Sequence, residues 1–145
     1  YVAGGGWHGN DTLWRMIHDL NLVIQCVDAE GRLHDEPQRR YFCIVDGLVS
    51  GEGNGPLQPL PRETDWLVLG DDPFAVDAAL AFFMGYDPQR VPVVARHREY
   101  LGPLWGRFEL DTLDVLLDGA GTRLVDSDIN LRFAVPPGWR SHIER

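Results

Sequence analysis

The chain has 145 residues, 44% of them hydrophobic, and a formal net charge of −9. That length fits one domain around one core, burying about two thirds of the surface of the unfolded chain. All 13 cations are Arg and none is Lys, which excludes Schiff-base chemistry, a Walker lysine and a PLP anchor from this segment; the acidic balance, with no cluster of cations, argues against a surface that tracks nucleic acid.

Gly4-Gly5-Gly6-Trp7-His8-Gly9 reads as a loop, and Asn10-Asp11-Thr12 supplies helix-capping chemistry after it. Leu13, Trp14, Ile17, Leu20, Asn21 and Ile24 then fall at helical spacing, which predicts a helix over 12–27, ended by Asp28-Ala29-Glu30-Gly31. Tyr41-Phe42-Cys43-Ile44-Val45 is the run of a short buried strand, and the stretch Val45 to Pro56, VDGLVSGEGNGP, reads as a glycine-rich loop that exposes backbone at the strand's end. Trp66-Leu67-Val68-Leu69 is a second buried strand. Gly70-Asp71-Asp72-Pro73 turns the chain into a helix over 74–84, with Asp72 as N-cap, Pro73 at the first helical position and Gly85 as the stop.

A shorter helix begins near Val91 and runs toward Tyr100, broken by Gly102-Pro103. Leu113 to Leu117 favours a strand before Asp118-Gly119, with extended pieces near 123–125 and 131–135, and Pro136-Pro137-Gly138-Trp139 is a rigid turn that packs its Trp on the body. The expected fold is α/β: a single domain over residues 1–145, or the C-terminal half of a larger one, with a mixed or parallel sheet, flanking helices and Gly-rich loops at strand ends.

Cys26 and Cys43 form no C-x-x-C, so neither a zinc ribbon nor a four-thiolate iron–sulfur cluster assembles within the chain, and both read as buried thiols. No apolar run reaches the ~18 residues of a membrane span. The chain opens on Tyr1 without a secretory signal, which gives a cytoplasmic expectation and leaves open that an original start was trimmed.

Gly4, Gly6 and Gly9 satisfy G-x-G-x-x-G, and Asp28 follows at the distance of a ribose-binding acid. The strand required before the glycines is reduced to Tyr1-Val2-Ala3, so a tight turn packing Trp7 under the helix is the plainer reading. His8, Asn10, Asp11 and Arg15 crowd the helix start, where His8 suits proton exchange and Arg15, with Gly9-side amides, suits holding a carboxylate or phosphate; capping alone accounts for Asn10 and Asp11. Asp77 stands among Phe74, Val76, Ala78, Ala79 and Leu80, and an acid so flanked is expected to be buried and either hydrogen-bonded to the Gly51–Gly55 loop or engaged in catalysis or metal binding. Asp46, Glu52 and Asp77 together form a candidate site for a hard divalent cation, magnesium or calcium, with Asn54 beside them for a substrate.

The motifs Gly5-Gly6-Trp7-His8-Gly9-Asn10-Asp11-Thr12-Leu13-Trp14-Arg15-Met16, Val45-Asp46-Gly47, Gly51-Glu52-Gly53-Asn54-Gly55-Pro56, Asp72-Pro73-Phe74-Ala75-Val76-Asp77 and Met84-Gly85-Tyr86-Asp87-Pro88 together resemble the bacterial family called domain of unknown function 362. The resemblance implies no settled activity, and it implies an N-terminal half, present in many members, ahead of this segment. Some relatives carry ferredoxin-like segments; this chain offers no cluster ligands to match them.

The leading expectation is an enzyme domain for a small polar or anionic metabolite, with Asp77 or Glu52 as general base or metal ligand, Asp46 as metal ligand, His8 in proton transfer, and Arg15, Asn10, Gly9 and Asn54 binding substrate. The alternative is a non-catalytic binding or scaffold module whose acids satisfy loop amides, with the missing half or a second copy as partner. A weaker alternative is an electron-transfer partner that borrows its cluster from another chain.

Overall fold

The computed structural model describes residues 7–101 and 108–145. The Gly4–Gly6 part of the first loop and the Gly102-Pro103 break lie outside the described residues. Helix α1 (Leu13–Cys26) matches the predicted span; Asn10 Oδ1 accepts the N–H groups of Thr12 (3.1 Å) and Leu13 (3.0 Å), satisfying donors that a helix start leaves without intrahelical partners.

The largest departure from expectation is the sheet. Strand β1 (Cys43–Asn54) and strand β2 (Gln58–Gly70) form one long antiparallel hairpin, running from the pair Cys43 with Gly70 to the pair Asn54 with Gln58. The expected mixed or parallel sheet is not what the described residues form: three residues separate these strands, and a parallel pair needs a crossover of a dozen or more. The glycine-rich stretch is accordingly strand and not loop as far as Asn54. Gly51 fits there because a Cβ would lie 2.8 Å from Pro59 Cβ, so the glycine admits the proline of the facing strand. The register shifts between Gly47 and Val49, where Thr64 and Asp65 face Leu48, and Asp65 takes φ 53°.

Helix α2 (Pro73–Met84) follows β2 with the predicted punctuation. Asp72 Oδ1 accepts from Phe74 N (2.9 Å) and Ala75 N (3.2 Å), and Gly85 closes the helix at φ 92°. The helix is apolar on nearly all sides, which makes it the core element. Phe74 packs with Cys26; Ala79, Phe82 and Phe83 pack with Leu124; and Ala81 packs with Tyr86, Phe133, Val135 and Ile143.

Two short helices, α3 (Pro92–Ala95) and α4 (His97–Leu101), pack on α1. A second antiparallel hairpin joins β3 (Asp114–Leu117) to β4 (Ala120–Arg123) through Asp118 and Gly119, both at positive φ as a primed two-residue turn requires. The final segment makes no named strand, yet it ties distant parts together: Leu131 N–H bonds Phe83 O (2.7 Å), Phe133 N–H bonds Met84 O (2.8 Å), Gly53 N–H bonds Ala134 O (2.9 Å), and His8 N–H bonds Gly138 O (2.9 Å). Trp139 packs on the Ala81–Tyr86 cluster, as its rigid turn predicts. The family of elements is thus mixed α and β, and among the described residues no helix is long and apolar enough to cross a membrane.

Candidate functional site

The head of α1 brings four of the sequence candidates near one another. His8 stacks on His142 with ring centroids 4.3 Å apart and nearly parallel, and it meets Trp139 edge-on at 5.5 Å. Gly9 leaves room for Trp7, whose ring would otherwise overlap a Cβ. Asn10 is buried, with its Oδ1 committed to the helix start. Arg15 is turned back on Asp11, with Nη2 3.0 Å from Oδ2 and Nε donating to the Asp11 carbonyl at 3.1 Å.

The same acid accepts the Trp14 indole N–H at 2.9 Å and faces Arg96 at 3.4 Å. Two guanidinium groups lie over the Trp14 ring, Arg15 at 4.2 Å and Arg96 at 4.6 Å from its centroid. Arg15 and then Trp14 hold the Asp11 carboxyl below its ordinary range. The sequence reading missed this arrangement, although Asp11-x-x-Trp14-Arg15 at one helical turn is its local signal. An apolar cleft of about 150 Å³ opens beside it, lined by Asn10, Leu13, Trp14, Ile17, Pro92 and Trp139.

The acids of the expected cation site are dispersed. Asp46 is exposed on β1, and its Oδ1 accepts Leu48 N–H at 3.1 Å. Glu52 Oε2 accepts the Ala134 N–H at 2.9 Å and the Arg62 guanidinium at 3.0 Å; those two contacts, the amide first, depress its pKa. Asn54 is exposed in the last ladder pair of the hairpin.

Asp77 departs furthest from expectation. Predicted to be buried and bonded to the glycine stretch, it reaches solvent, and among the described residues it takes no hydrogen bond or ion pair. Its neighbours Val76 and Ala78 carry the buried face, while Asp77 falls on the side between them that meets water. The protein packed around the rest of the carboxyl still pushes its pKa up to about 6 by desolvation. Together with Asp72 and Asp71, Asp77 adds to burial in raising the Cys43 thiol. Among the described residues no three His, Cys, Asp or Glu side chains gather into a group able to hold a metal ion, so Asp46, Glu52 and Asp77 do not meet.

Cys26 and Cys43 are free thiols; Cys26 is buried and Cys43 is half-buried. Another cleft, of about 470 Å³, lies elsewhere, lined by Phe82, Asp87, Pro88, Glu109, Asp111 and Arg145 among others, and none of the sequence candidates lines it.

The family model described as Domain of unknown function (DUF362) matches residues 4–82, and the chain belongs to that family. The chain is similar to the Thylakoid-associated protein sll1697 of Synechocystis sp. (strain ATCC 27184 / PCC 6803 / Kazusa), 39% identical over 59 residues. That stretch is 41% of this chain and 18% of the relative, so the match spans under a fifth of the relative's length. No solved structure matches the chain.

Proposed function

We propose that this family member acts as a non-catalytic binding module that presents its β1–β2 hairpin to another polypeptide. The observation that carries this reading is the contrast between polar candidates and apolar surface. Asn10, Arg15, Asp46 and Glu52 are each taken up by backbone amides or a neighbouring charge, which is how structural polar groups are satisfied. Phe42, Ile44, Leu67 and Leu69 meanwhile stand exposed together at the base of the hairpin, and apolar patches of that kind mark interaction surfaces.

The short match to a longer relative supports reading the segment as one part of a larger assembly. The relative's name associates it with thylakoids; for a chain of net charge −9 such an association is better supplied by a protein partner than by anionic lipid.

The rival reading, an enzyme domain acting on a small polar or anionic metabolite, rests on Asp77, whose pKa near 6 suits proton transfer. Thermal melting with millimolar magnesium, calcium or manganese separates the two. The binding-module reading expects curves that superimpose. A rise of several degrees that is lost in Asp77→Asn with Glu52→Gln, as a cation bound to the native state alone produces, overturns it in favour of the enzyme.

A further inference from the structure

The two outer edges of the hairpin are unequal. The β2 edge carries Pro59 and Pro61, which donate no N–H, and the Thr64–Asp65 bulge interrupts it further along. The β1 edge carries no proline over residues 43–50, and the irregularity opposite Leu48 places its extra residue in β2. At its far end it already accepts a strand-like neighbour, where Gly53 N–H bonds Ala134 O at 2.9 Å. Between 43 and 50 no third strand pairs with it among the described residues; Leu48 N–H turns to Asp46 and the Gly47 carbonyl to the Thr64 hydroxyl.

The side chains along that edge give the chemistry of what fits. Phe42, Ile44, Leu48 and Val49 are exposed by more than half, the first three at even spacing along the strand, and supply apolar contacts. The charges around them are largely acidic. Asp46 is exposed on the strand itself, and Asp77, Asp72 and Asp71 lie near enough to act on Cys43. Of the nearby cations, Arg62 is held by Glu52 and Arg39 by the Val27 carbonyl, while exposed Arg40 stands two residues before Phe42. A second copy fits poorly: two-fold antiparallel pairing centred on this stretch sets Asp46 close to its own counterpart, and like charges across strands are unfavourable.

We propose that the β1 edge over residues 43–50 receives an extended strand from a partner polypeptide, apolar at alternating positions and bearing Lys or Arg between them. Main-chain hydrogen bonds along the edge give the affinity, and Asp46 with the acids near Cys43 selects the charge. The inference rests on the binding-module reading and names its partner.

Amide hydrogen exchange on the 145-residue chain tests it, with a capped peptide of alternating valine and lysine as probe and its valine–glutamate counterpart as control. The valine–lysine peptide is expected to slow exchange about tenfold at those amides of Ile44 to Ser50 that face away from β2, and the control to leave them unchanged. In Asp46→Lys, an exposed position, the preference for the lysine peptide is expected to fall toward equality. Equal protection by both peptides on the unmodified chain, or protection by neither, overturns the proposal. Protection that grows with protein concentration and no peptide assigns the edge to a second copy and overturns it as well.

Two further outcomes tell the proposal from the reading beneath it. Peptide binding lost in Met16→Lys with Leu20→Lys on the exposed face of α1, but kept in Ile44→Lys, overturns the edge assignment and leaves the binding module standing. Amides of 43–50 facing away from β2 that are as protected without peptide as those of α2 show the edge already covered within the chain, and overturn both.

Discussion

Glu52 and Arg62 face each other across the β1–β2 hairpin at 3.0 Å, and the carboxylate oxygen that receives the guanidinium also receives the Ala134 amide at 2.9 Å. One side chain thereby fastens the hairpin tip to the final segment, with a separation of 82 residues between Glu52 and Ala134. The Arg62 guanidinium also lies 4.7 Å over the Phe133 ring, so the junction is ionic, hydrogen-bonded and apolar at once.

Glu52→Ala takes the acceptor from the Ala134 amide and the carboxylate from Arg62, whose Nη1 keeps the Arg132 carbonyl at 3.3 Å, and it is expected to lower stability by about 1–2 kcal/mol in urea titration. Glu52→Gln keeps an acceptor for Ala134 and is expected to lose less. Because the folded-state pKa of Glu52 is depressed, its contribution is full above the unfolded value of 4.5 and fades as pH falls through the lower folded one. A Glu52→Ala variant as stable as the parent at neutral pH contradicts this account.

Much of this architecture is legible in the sequence, and the division is physical. Helices α1 and α2 are readable because their determinants are local: Asn10 at one start, Asp72-Pro73 at the other, Gly85 at the stop, and helical spacing between them. The hairpin is not, because Gly51, Gly53, Pro59 and Pro61 carry loop propensity and become strand only through fit to the facing chain, as the contact of Gly51 with Pro59 illustrates. The geometry around the candidate residues is illegible for a related reason. Which way Asp77 points depends on what packs beside α2, and that Glu52 meets Ala134 depends on the whole course of the chain between them. Neither leaves a mark at short range.

Gly85 and Gly31 both take positive φ, 92° and 80°, but only Gly85 is crowded: a Cβ there would stand 2.5 Å from Asn130 Oδ1, whereas at Gly31 nothing lies within 4 Å. Gly31→Ala is therefore expected to cost about 1 kcal/mol from backbone strain alone. Gly85→Ala adds the displacement of Asn130 and is expected to cost about 2–3 kcal/mol. Equal losses in denaturant titration remove the crowding argument.

His18 is fully buried, edge-on to Trp14 and Phe74, with Nε2 2.9 Å from the Val93 carbonyl. Burial depresses its pKa first; the Val93 hydrogen bond opposes that, His97 adds to it, and Asp19 partly offsets it. A depressed histidine binds fewer protons folded than unfolded, so stability is full above the unfolded value of 6.5 and declines as pH drops below it. His18→Gln is expected to flatten the fall in melting temperature between about pH 7 and pH 5. His18→Ala, which empties a packed position, is expected to cost about 2–4 kcal/mol at neutral pH. A slope unchanged in His18→Gln assigns the acid sensitivity to other groups.

Asp77 makes the opposite prediction, and it also bears on whether this acid serves chemistry. Its folded pKa is raised to about 6 from 3.8, so its contribution is full below the unfolded value and is lost as pH rises through the folded one. Charged Asp77 is thus a liability at neutral pH, and Asp77→Asn is expected to stabilise the chain at pH 7 to 8 while changing little below about pH 4. Full conversion of the shift gives about 3 kcal/mol; the side chain meets water, and screening reduces the expected gain to about 1 kcal/mol. A second readout comes from Cys43, whose thiol Asp77 raises after burial and ahead of Asp72 and Asp71. Removing that charge frees the thiolate, so Cys43 in Asp77→Asn is expected to alkylate faster near pH 8 than in the parent, whereas buried Cys26 is expected to stay slow in both. Unchanged Cys43 reactivity together with unchanged stability places the Asp77 charge in open water. A destabilised Asp77→Asn indicates instead that the carboxylate holds a partner worth keeping, and returns Asp77 to candidacy as a functional group.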